Sequence, residues 1–282
     1  MKFDFHIHSV YSDGSSPLEE IFNTGKQLKV SALAITDHDT VLGLKEADRL
    51  SKKYAIPFIP GIEFTAMENE KKFHILGYGI DYNSLELIEY SKRLLEYLNA
   101  KSMKQIRLMQ KNGIDIKEEE FFKEGQGGPL YRAKMLKTLS NHGYLKQEEI
   151  MTSLKKYFGD GAPYYVEETF EYYNFQQVCK IIKASKGIAV LAHPNKLKNK
   201  DEKLYWDILN SNLLDGVEIY HPANDENTQN ELKKIAFDKK LIITGGSDYH
   251  GHYSKNKIPI CGIDIPDQIY NNLYQYLTNV VI

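Results

Sequence analysis

The feature that most constrains this chain is where its metal-ligating side chains fall. His6-Ile7-His8 ends the first apolar run, Asp37-His38-Asp39 ends the second and Glu63 ends the third. His74 sits in the fourth run between Phe73 and Ile75, His193 closes the run 188–192, and Asp248 and His250 follow the run 241–245. Asp13 lies just beyond His8, in the turn Ser12-Asp13-Gly14. Residues two apart in an extended segment point the same way, so His6 and His8 face one site. Parallel α/β architectures build their sites at the carboxyl ends of strands. A random scatter of His, Asp and Glu would not respect strand ends in this way.

The apolar runs also set the fold class. Residues 2–6, 32–36, 57–64, 73–78, 188–192, 216–220, 241–245 and 258–263 read as strands. Helical patterns lie between several of them. Ser16-Pro17 opens one, Thr40 precedes another, and 174–186 reads as a third that ends at Gly187 as a left-handed cap. This alternation implies an α/β chain with a mostly parallel sheet, closed or open. Between 84 and 166 the alternation stops. Helical patterns occupy 85–112, 129–142 and 147–158, with the loop Gly125-Gln126-Gly127-Gly128 among them. The chain therefore divides into an α/β body, 1–83 and 167–282, and an inserted helical segment, 84–166.

Six histidines and three carboxylates exceed the roughly three protein ligands of a single catalytic zinc and fit two or three divalent ions. Each residue alone could equally be a core or supporting group; the set is what points to metal. Against three carboxylates, two or three such ions leave a cationic pocket that suits a phosphate dianion. Ions ~3.5–4 Å apart can hold a hydroxide in line with a phosphoryl group, which makes phosphoester hydrolysis the expected chemistry.

Composition excludes other classes. With 36 Lys+Arg against 38 Asp+Glu, a dedicated duplex-DNA binder is not expected. No apolar run approaches the ~20 residues of a membrane helix, and the start Met1-Lys2-Phe3-Asp4 lacks the apolar core of a signal peptide. Cys179 and Cys261 form no CxxC pair and read as reduced core thiols. A cytoplasmic enzyme that binds a small phosphorylated substrate, with no membrane partner, is the expectation; its oligomeric state stays open.

At these residues the sequence resembles the PHP (polymerase and histidinol phosphatase) family. The matching motifs are His6-Ile7-His8 with Ser12-Asp13-Gly14, Thr36-Asp37-His38-Asp39, Gly61-Ile62-Glu63, His74, Ala192-His193-Pro194 and Gly246-Ser247-Asp248-Tyr249-His250-Gly251. The resemblance implies a distorted, TIM-like (β/α)7 barrel with an inserted helical cap. It also implies a trinuclear site: one ion on His6, His8, Glu63 and Asp248, a second on Glu63, His74 and His193, and a third on Asp13, His38 and His250. Mn, Fe and Zn suit such mixed ligation. Within the family, the insertion is similar to the cap of phosphoesterases acting on nucleotides, including 3′,5′-nucleoside bisphosphate phosphatases that also trim short RNA. One departure stands out. Those relatives carry an arginine and a histidine near the segment where this chain has Gly128 and Leu130. The implied activity is hydrolysis of a phosphomonoester, a 3′,5′-nucleoside bisphosphate or short oligoribonucleotide, by attack of a metal-bridged hydroxide. A histidinol-phosphate phosphatase and a non-catalytic PHP scaffold are the alternatives.

Further candidates are weighed against plain structural roles. Arg132 and Lys134 stand near the departing segment and are candidates to bind a substrate phosphate, against a solvated helix charge. His221 ends the run 216–220 and is a candidate for substrate contact and general acid, against a supporting role. Asp37 and Asp39 flank His38 and read as orienting ligands, with Asp37 placed beside His221 among the catalytic residues. Asn195 and Lys196 are candidates to face the pocket, against a default of surface loop, and the pairs Lys155-Lys156 and Lys239-Lys240 read as solvated faces. Tyr164, Tyr165, Tyr172 and Tyr173 read as packing rather than base-stacking groups.

Overall fold

Seven strands form one sheet in sequence order: β1 Phe3–Ile7, β2 Ala32–Ile35, β3 Phe58–Glu68, β4 Lys71–Tyr78, β5 Ile188–Leu191, β6 Gly216–Tyr220 and β7 Ile242–Gly245. The computed structural model describes residues 1–254 and 257–280. Helices α1 Leu18–Leu28 and α2 Leu44–Tyr54 follow the first two strands. The helical stretch contains α3 Leu85–Lys111, α4 Glu118–Lys123, α5 Arg132–Asn141 and α6 Ile150–Phe158. Then come α7 Phe175–Ala184, α8 Pro194–Lys198, α9 Glu202–Leu209, α10 Glu226–Lys239 and α11 Asp267–Val280. The sheet curls, and Ile7 at the end of β1 bridges Tyr249 just beyond β7.

The sheet is mostly parallel, as expected from the alternation, but β4 runs antiparallel to both β3 and β5. Glu63 therefore pairs with Leu76, and His74 enters the site from the early half of its strand. Residues 258–263 form no strand. Gly262 N–H donates to the Pro259 carbonyl in a turn, and Cys261 takes a positive φ of 57°. Ser16 does not cap α1. Pro17 occupies that position, and the Ser16 hydroxyl turns to Glu20 and Tyr249. The left-handed residue after α7 is Lys186, at φ 64°, not Gly187. Gly187 is required for another reason: a Cβ there would lie 2.6 Å from Ile80. The capping of α7 follows the sequence, with Asn174 and Gln177 forming a reciprocal box.

Alternation decides which side chains line which layer, with one interruption. Leu33, Ile35, Ile62, Ile75, Leu191, Val217 and Ile219 pack outward against the helices. Phe3, Phe5, Ala34, Leu76, Tyr78 and Val190 form a second cluster with Ile269 and Leu273 of α11. Phe5 and Ile7 should share a face, yet they belong to different clusters. The register of β1 on β2 shifts between Asp4 and Ile7, and such a bulge re-aims side chains beside a site. The helical stretch has a core of its own, including Ile106, Met109, Phe121, Leu136, Leu139 and Phe158.

Candidate metal centre

β1 and the segment after it deliver His6 and His8, both fully buried. Their Nε2 atoms lie 3.1 Å apart. Residues 37–39 continue beyond β2 and pair with β3: Asp39 N–H donates to the Glu63 carbonyl, and Glu63 N–H to that of Asp37. This ladder sets His38 beside Glu63, with Nδ1 3.2 Å from Oε2. The other Glu63 oxygen, Oε1, lies 2.9 Å from His193 Nε2 and 3.0 Å from His74 Nδ1. Asp248 Oδ1 is 3.3 Å from His8 Nε2 and 3.5 Å from His6 Nε2. Asp13 reaches His250, with Oδ1 3.2 Å from Nε2, and its Oδ2 is 3.9 Å from His38. Nine side chains from six separate stretches thus come together, five of the histidines around the Glu63 carboxylate. Two of them sit in strained backbone, His193 at φ 29° and Asp248 at φ 54°; such strain, of order 1–3 kcal/mol per residue, gathers at functional sites.

The donors fall into compact groups whose ligand atoms lie within 4.8 Å of one another. His6, His8, Glu63 and Asp248 form one, His8, Asp13, His38 and His250 a second, and His38, Glu63 and His74 a third. His193 joins the third through its contacts with Glu63 and His74. The buried atoms His8 Nδ1, Asp13 Oδ1, His38 Nδ1 and Glu63 Oε2 have no hydrogen-bond partner. The electrostatics are divided. Burial opposes charge on His8, but its contacts with Asp248 and Glu63 push its pKa to about 10. Burial prevails at His38 and His193 and lowers both to about 3. Burial also opposes charge on Glu63, yet the imidazoles of His38, His74 and His6 hold it well below the ordinary carboxylate value.

Glu218 escaped the sequence reading. It is fully buried on β6, accepting from His193 N–H at 2.7 Å, with Oε1 2.8 Å from His6 Nδ1. A carboxylate that grips the far nitrogen of a ligand imidazole fixes the ring and its tautomer. The signal was present: a charged residue between Val217 and Ile219 in an otherwise apolar strand. Glu218→Gln is expected to weaken metal affinity about 10–100-fold. Chelator competition measures this, and unchanged affinity would remove Glu218 from the site. Asp4 was missed in the same way. Buried on β1, it accepts from the N–H groups of His6, Ser247 and Cys261 and ties the first strand to the chain beyond the last.

The remaining candidates separate by geometry. His221 faces the site, with Nε2 3.2 Å from Asp248 Oδ2. Its Nδ1 accepts from Ala223 N–H, which leaves the proton on Nε2. Lys196, a candidate against a default of surface loop, also reaches Asp248 Oδ2, at 3.0 Å. Asp37 does not join the donor groups. Its oxygens accept from Ser9 N–H and the hydroxyls of Ser9 and Ser12, so it braces the turn that carries Asp13. Asp39 is engaged by Thr65 and Tyr90. Arg132 is exposed at the start of α5. Gly128 packs its backbone on Val10 and Tyr11, where a Cβ would meet Val10 O at 2.6 Å, and Leu130 is a core residue. Position 128 has no room for a side chain, while Leu130 lines the cavity over Asp13, His38 and His74 with an apolar group.

Lys134 is not free to bind substrate. Its buried ammonium donates to the carbonyls of Val10 at 2.6 Å, Pro129 at 3.1 Å and Gly125 at 3.4 Å, latching the helical stretch to the loop after His8. Burial pulls its pKa from 10.5 to about 8, against the pull of Asp13, Asp37 and Glu124. Between those values the unfolded chain binds the extra proton, so stability rises with pH across the window. Relative to Lys134→Met, the native chain should gain about 2–3 kcal/mol between pH 8 and pH 10.5. Unfolding curves across that range test it; parallel profiles would show that the amine is not desolvated.

Known proteins resemble this chain in sequence and fold. The PHP domain family model matches residues 4–216. A phosphoribosyl 1,2-cyclic phosphate 1,2-diphosphodiesterase from Eggerthella lenta is 29% identical, over 93% of this chain and 98% of its own length. The 5′-3′ exoribonuclease Rnm of Escherichia coli is 28% identical, over 88% of this chain and 85% of its own. A crystal structure from Bifidobacterium adolescentis, solved as a candidate metal-dependent phosphoesterase, shares the fold with a TM-score of 0.77 at 23% identity, covering 95% of this chain and 94% of that one.

Proposed function

Because the chain belongs to the PHP domain family and is a metal-dependent phosphoesterase, we propose that it hydrolyses a phosphoester of a nucleotide at the nine-donor site, in a closed, distorted (β/α)7 barrel capped by residues 84–166. The observation that carries this reading is the set of buried, partnerless donor atoms around Glu63. Unpaired buried polar atoms cost free energy, and cations accepting their lone pairs remove that cost. We assign one ion to His6, His8, Glu63 and Asp248, a second to Glu63, His74 and His193, and a third to Asp13, His38 and His250. Mn, Fe and Zn all suit these donors. When bound, such ions polarise phosphoryl oxygens and make a nucleophile of water near neutral pH.

The chain's own residues do the rest. Glu218 and Asp37 hold ligand-bearing segments in place. His221, buried with its Nε2 proton beside Asp248, is assigned as the group that protonates the leaving oxygen. Arg132, which lines the same cavity as Asp13, is assigned as the phosphate contact. No helix among the described residues is long and apolar enough to cross a membrane, consistent with a cytoplasmic enzyme and a diffusible substrate.

A second reading is favoured by the size of the cavity over Asp13, His38 and His74. At 230 Å³ it is smaller than the ~300–1,000 Å³ of ordinary ligand sites and suits a sugar phosphate. Assays with Mn on adenosine 3′,5′-bisphosphate, phosphoribosyl 1,2-cyclic phosphate and histidinol phosphate decide between these readings. The highest kcat/KM is expected on the bisphosphate. Faster turnover of the cyclic sugar phosphate or histidinol phosphate would move the assignment to that substrate. Full metal loading with turnover of none would sink the hydrolytic reading and favour a scaffold.

A further inference from the structure

β4 carries more than a metal donor. Lys72 lies two residues before His74 on that strand, and residues two apart share a face about 7 Å from each other. Lys101, on α3, meets Lys72 across the carboxylate of Glu168. Lys72 donates to Glu168 Oε1, and Lys101 Nζ lies 3.0 Å from Oε2. The Lys72 ammonium also sits 4.1 Å from the centre of the Tyr172 ring. All four side chains line the 230 Å³ cavity that Asp13, His38 and His74 also line. Two ammonium groups and one carboxylate thus stand in the same small space as the metal donors.

The triad is open to exchange. The Lys72 and Glu168 side chains keep 35% and 30% of their surface accessible, whereas Lys101 keeps 11%. Burial opposes charge on Glu168, yet the two ammonium groups bring its pKa down to about 2, so it is an anion near neutral pH. Residues 165–174, which carry it, form neither helix nor strand. Its side chain can therefore turn away without breaking a regular hydrogen-bond ladder, while the next residue stays anchored by Thr169 N–H to the Tyr97 hydroxyl at 2.7 Å. The charges are also unequal: two ammonium groups face one carboxylate, and a phosphate dianion would match them. The other charged groups of the cavity are committed. Asp13, His38 and His74 belong to the metal donors, Asp39 is held by Thr65 and Tyr90, and Arg132 is the contact assigned to the reacting phosphate.

We propose that Lys72 and Lys101 form a second anion subsite, and that Glu168 is an internal carboxylate which fills it until a substrate phosphate takes its place. The proposal rests on the phosphoesterase reading above and adds to it the residues that choose among phosphoesters. Those carrying a second phosphate, near enough to the first to share one small cavity, are favoured over monophosphates. Lysine suits an exchangeable subsite, because an ammonium binds phosphate as a point charge rather than through a fixed fork. The internal carboxylate weakens every ligand of the subsite equally, so neutral groups are excluded and dianions still enter.

The test uses the full chain with Mn and compares adenosine 3′,5′-bisphosphate with adenosine 3′-monophosphate and adenosine 5′-monophosphate. Lys72→Met and Lys101→Met should each raise KM for the bisphosphate at least about tenfold more than KM for the monophosphates, the worth of one charge-assisted contact. Such a loss falls on KM rather than kcat, because the contact is made equally in the ground and transition states. Glu168→Gln should act in the opposite direction and lower KM for the bisphosphate about threefold, the worth of a half-exposed ion pair. A loosened chain would not show that gain. Calorimetric titration of the bisphosphate and the 5′-monophosphate into the metal-free chain reads the same preference without turnover. The proposal falls if the lysine variants change all three KM values alike, or if Glu168→Gln weakens the bisphosphate. If the substrates are still hydrolysed in that case, only the subsite has failed. If the native chain hydrolyses none of them, yet prefers the bisphosphate by calorimetry and loses that preference in the lysine variants, the phosphoesterase reading has failed and the subsite stands.

Discussion

A Glu63→Gln protein is expected to lose at least about a thousandfold in phosphoester turnover, together with most of its bound metal. One carboxylate stands at the centre of the donor cluster. Its Oε1 faces His74 and His193, and its Oε2 lies 3.2–3.3 Å from nitrogens of His6, His8 and His38. Glutamine keeps the shape but removes the charge and turns an NH2 group toward nitrogens that should face a cation. Cations in such a site supply several kcal/mol of transition-state stabilisation, and each 1.36 kcal/mol is a factor of ten. Metal content per chain and kcat on a phosphomonoester, with circular dichroism to show the fold intact, make the measurement. A variant that retains its metal and turns over within tenfold of the native chain would mean that Glu63 is not the shared ligand.

Gly246→Ala should be equally damaging, by a different route. A Cβ at this position would lie 2.3 Å from His6 Cβ and 2.4 Å from His6 N. Those atoms belong to the first strand, and Asp4 holds that strand in place by accepting from both His6 and Ser247 N–H groups. Relief therefore requires the closing strands to separate, which carries His6 away from Glu63 and Asp248. Overpacking a rigid contact typically costs 1–3 kcal/mol and sometimes more; with backbone and a ligand residue on the receiving side, a loss of about 3 kcal/mol or more is expected. Denaturant midpoints and metal titration report the two consequences separately. A native midpoint in Gly246→Ala would show that β1 and the segment after β7 have slack.

Particular residues show how far the sequence could be read. The donor set was legible because chemistry and position coincide: His, Asp and Glu at the ends of apolar runs, with spacings of two where a strand continues. Seven strands and the helical stretch were legible from period and punctuation. The eighth strand was not real, because the apolar content of 258–263 says nothing about Pro259 and Gly262 closing a turn. Lys134 was misread for a related reason. Its position near a Gly-rich loop was visible, but the three carbonyls that take its ammonium come from Val10, Gly125 and Pro129, two of which lie within ten residues of it and one at the far end of the chain. Glu218 went unnoticed although its strand was identified, because a lone acid in a strand announces a partner without naming it.

By itself, the sequence determined which side chains can bind cations, because ligand type is a local property; it set Glu63 at the end of a strand, whereas the fold carries β3 on to Glu68 and places Glu63 and His74 within their strands. Only the tertiary structure decided that five of the histidines gather on one carboxylate. Alternation says that His6 and His8 point the same way; a bulge in β1 chose the face. Whether Asp37, Lys134 or Glu218 touches the site was fixed by partners distant in the chain. A hydrogen bond between residues 6 and 218 has no counterpart in local propensity and exists only once the sheet has curled.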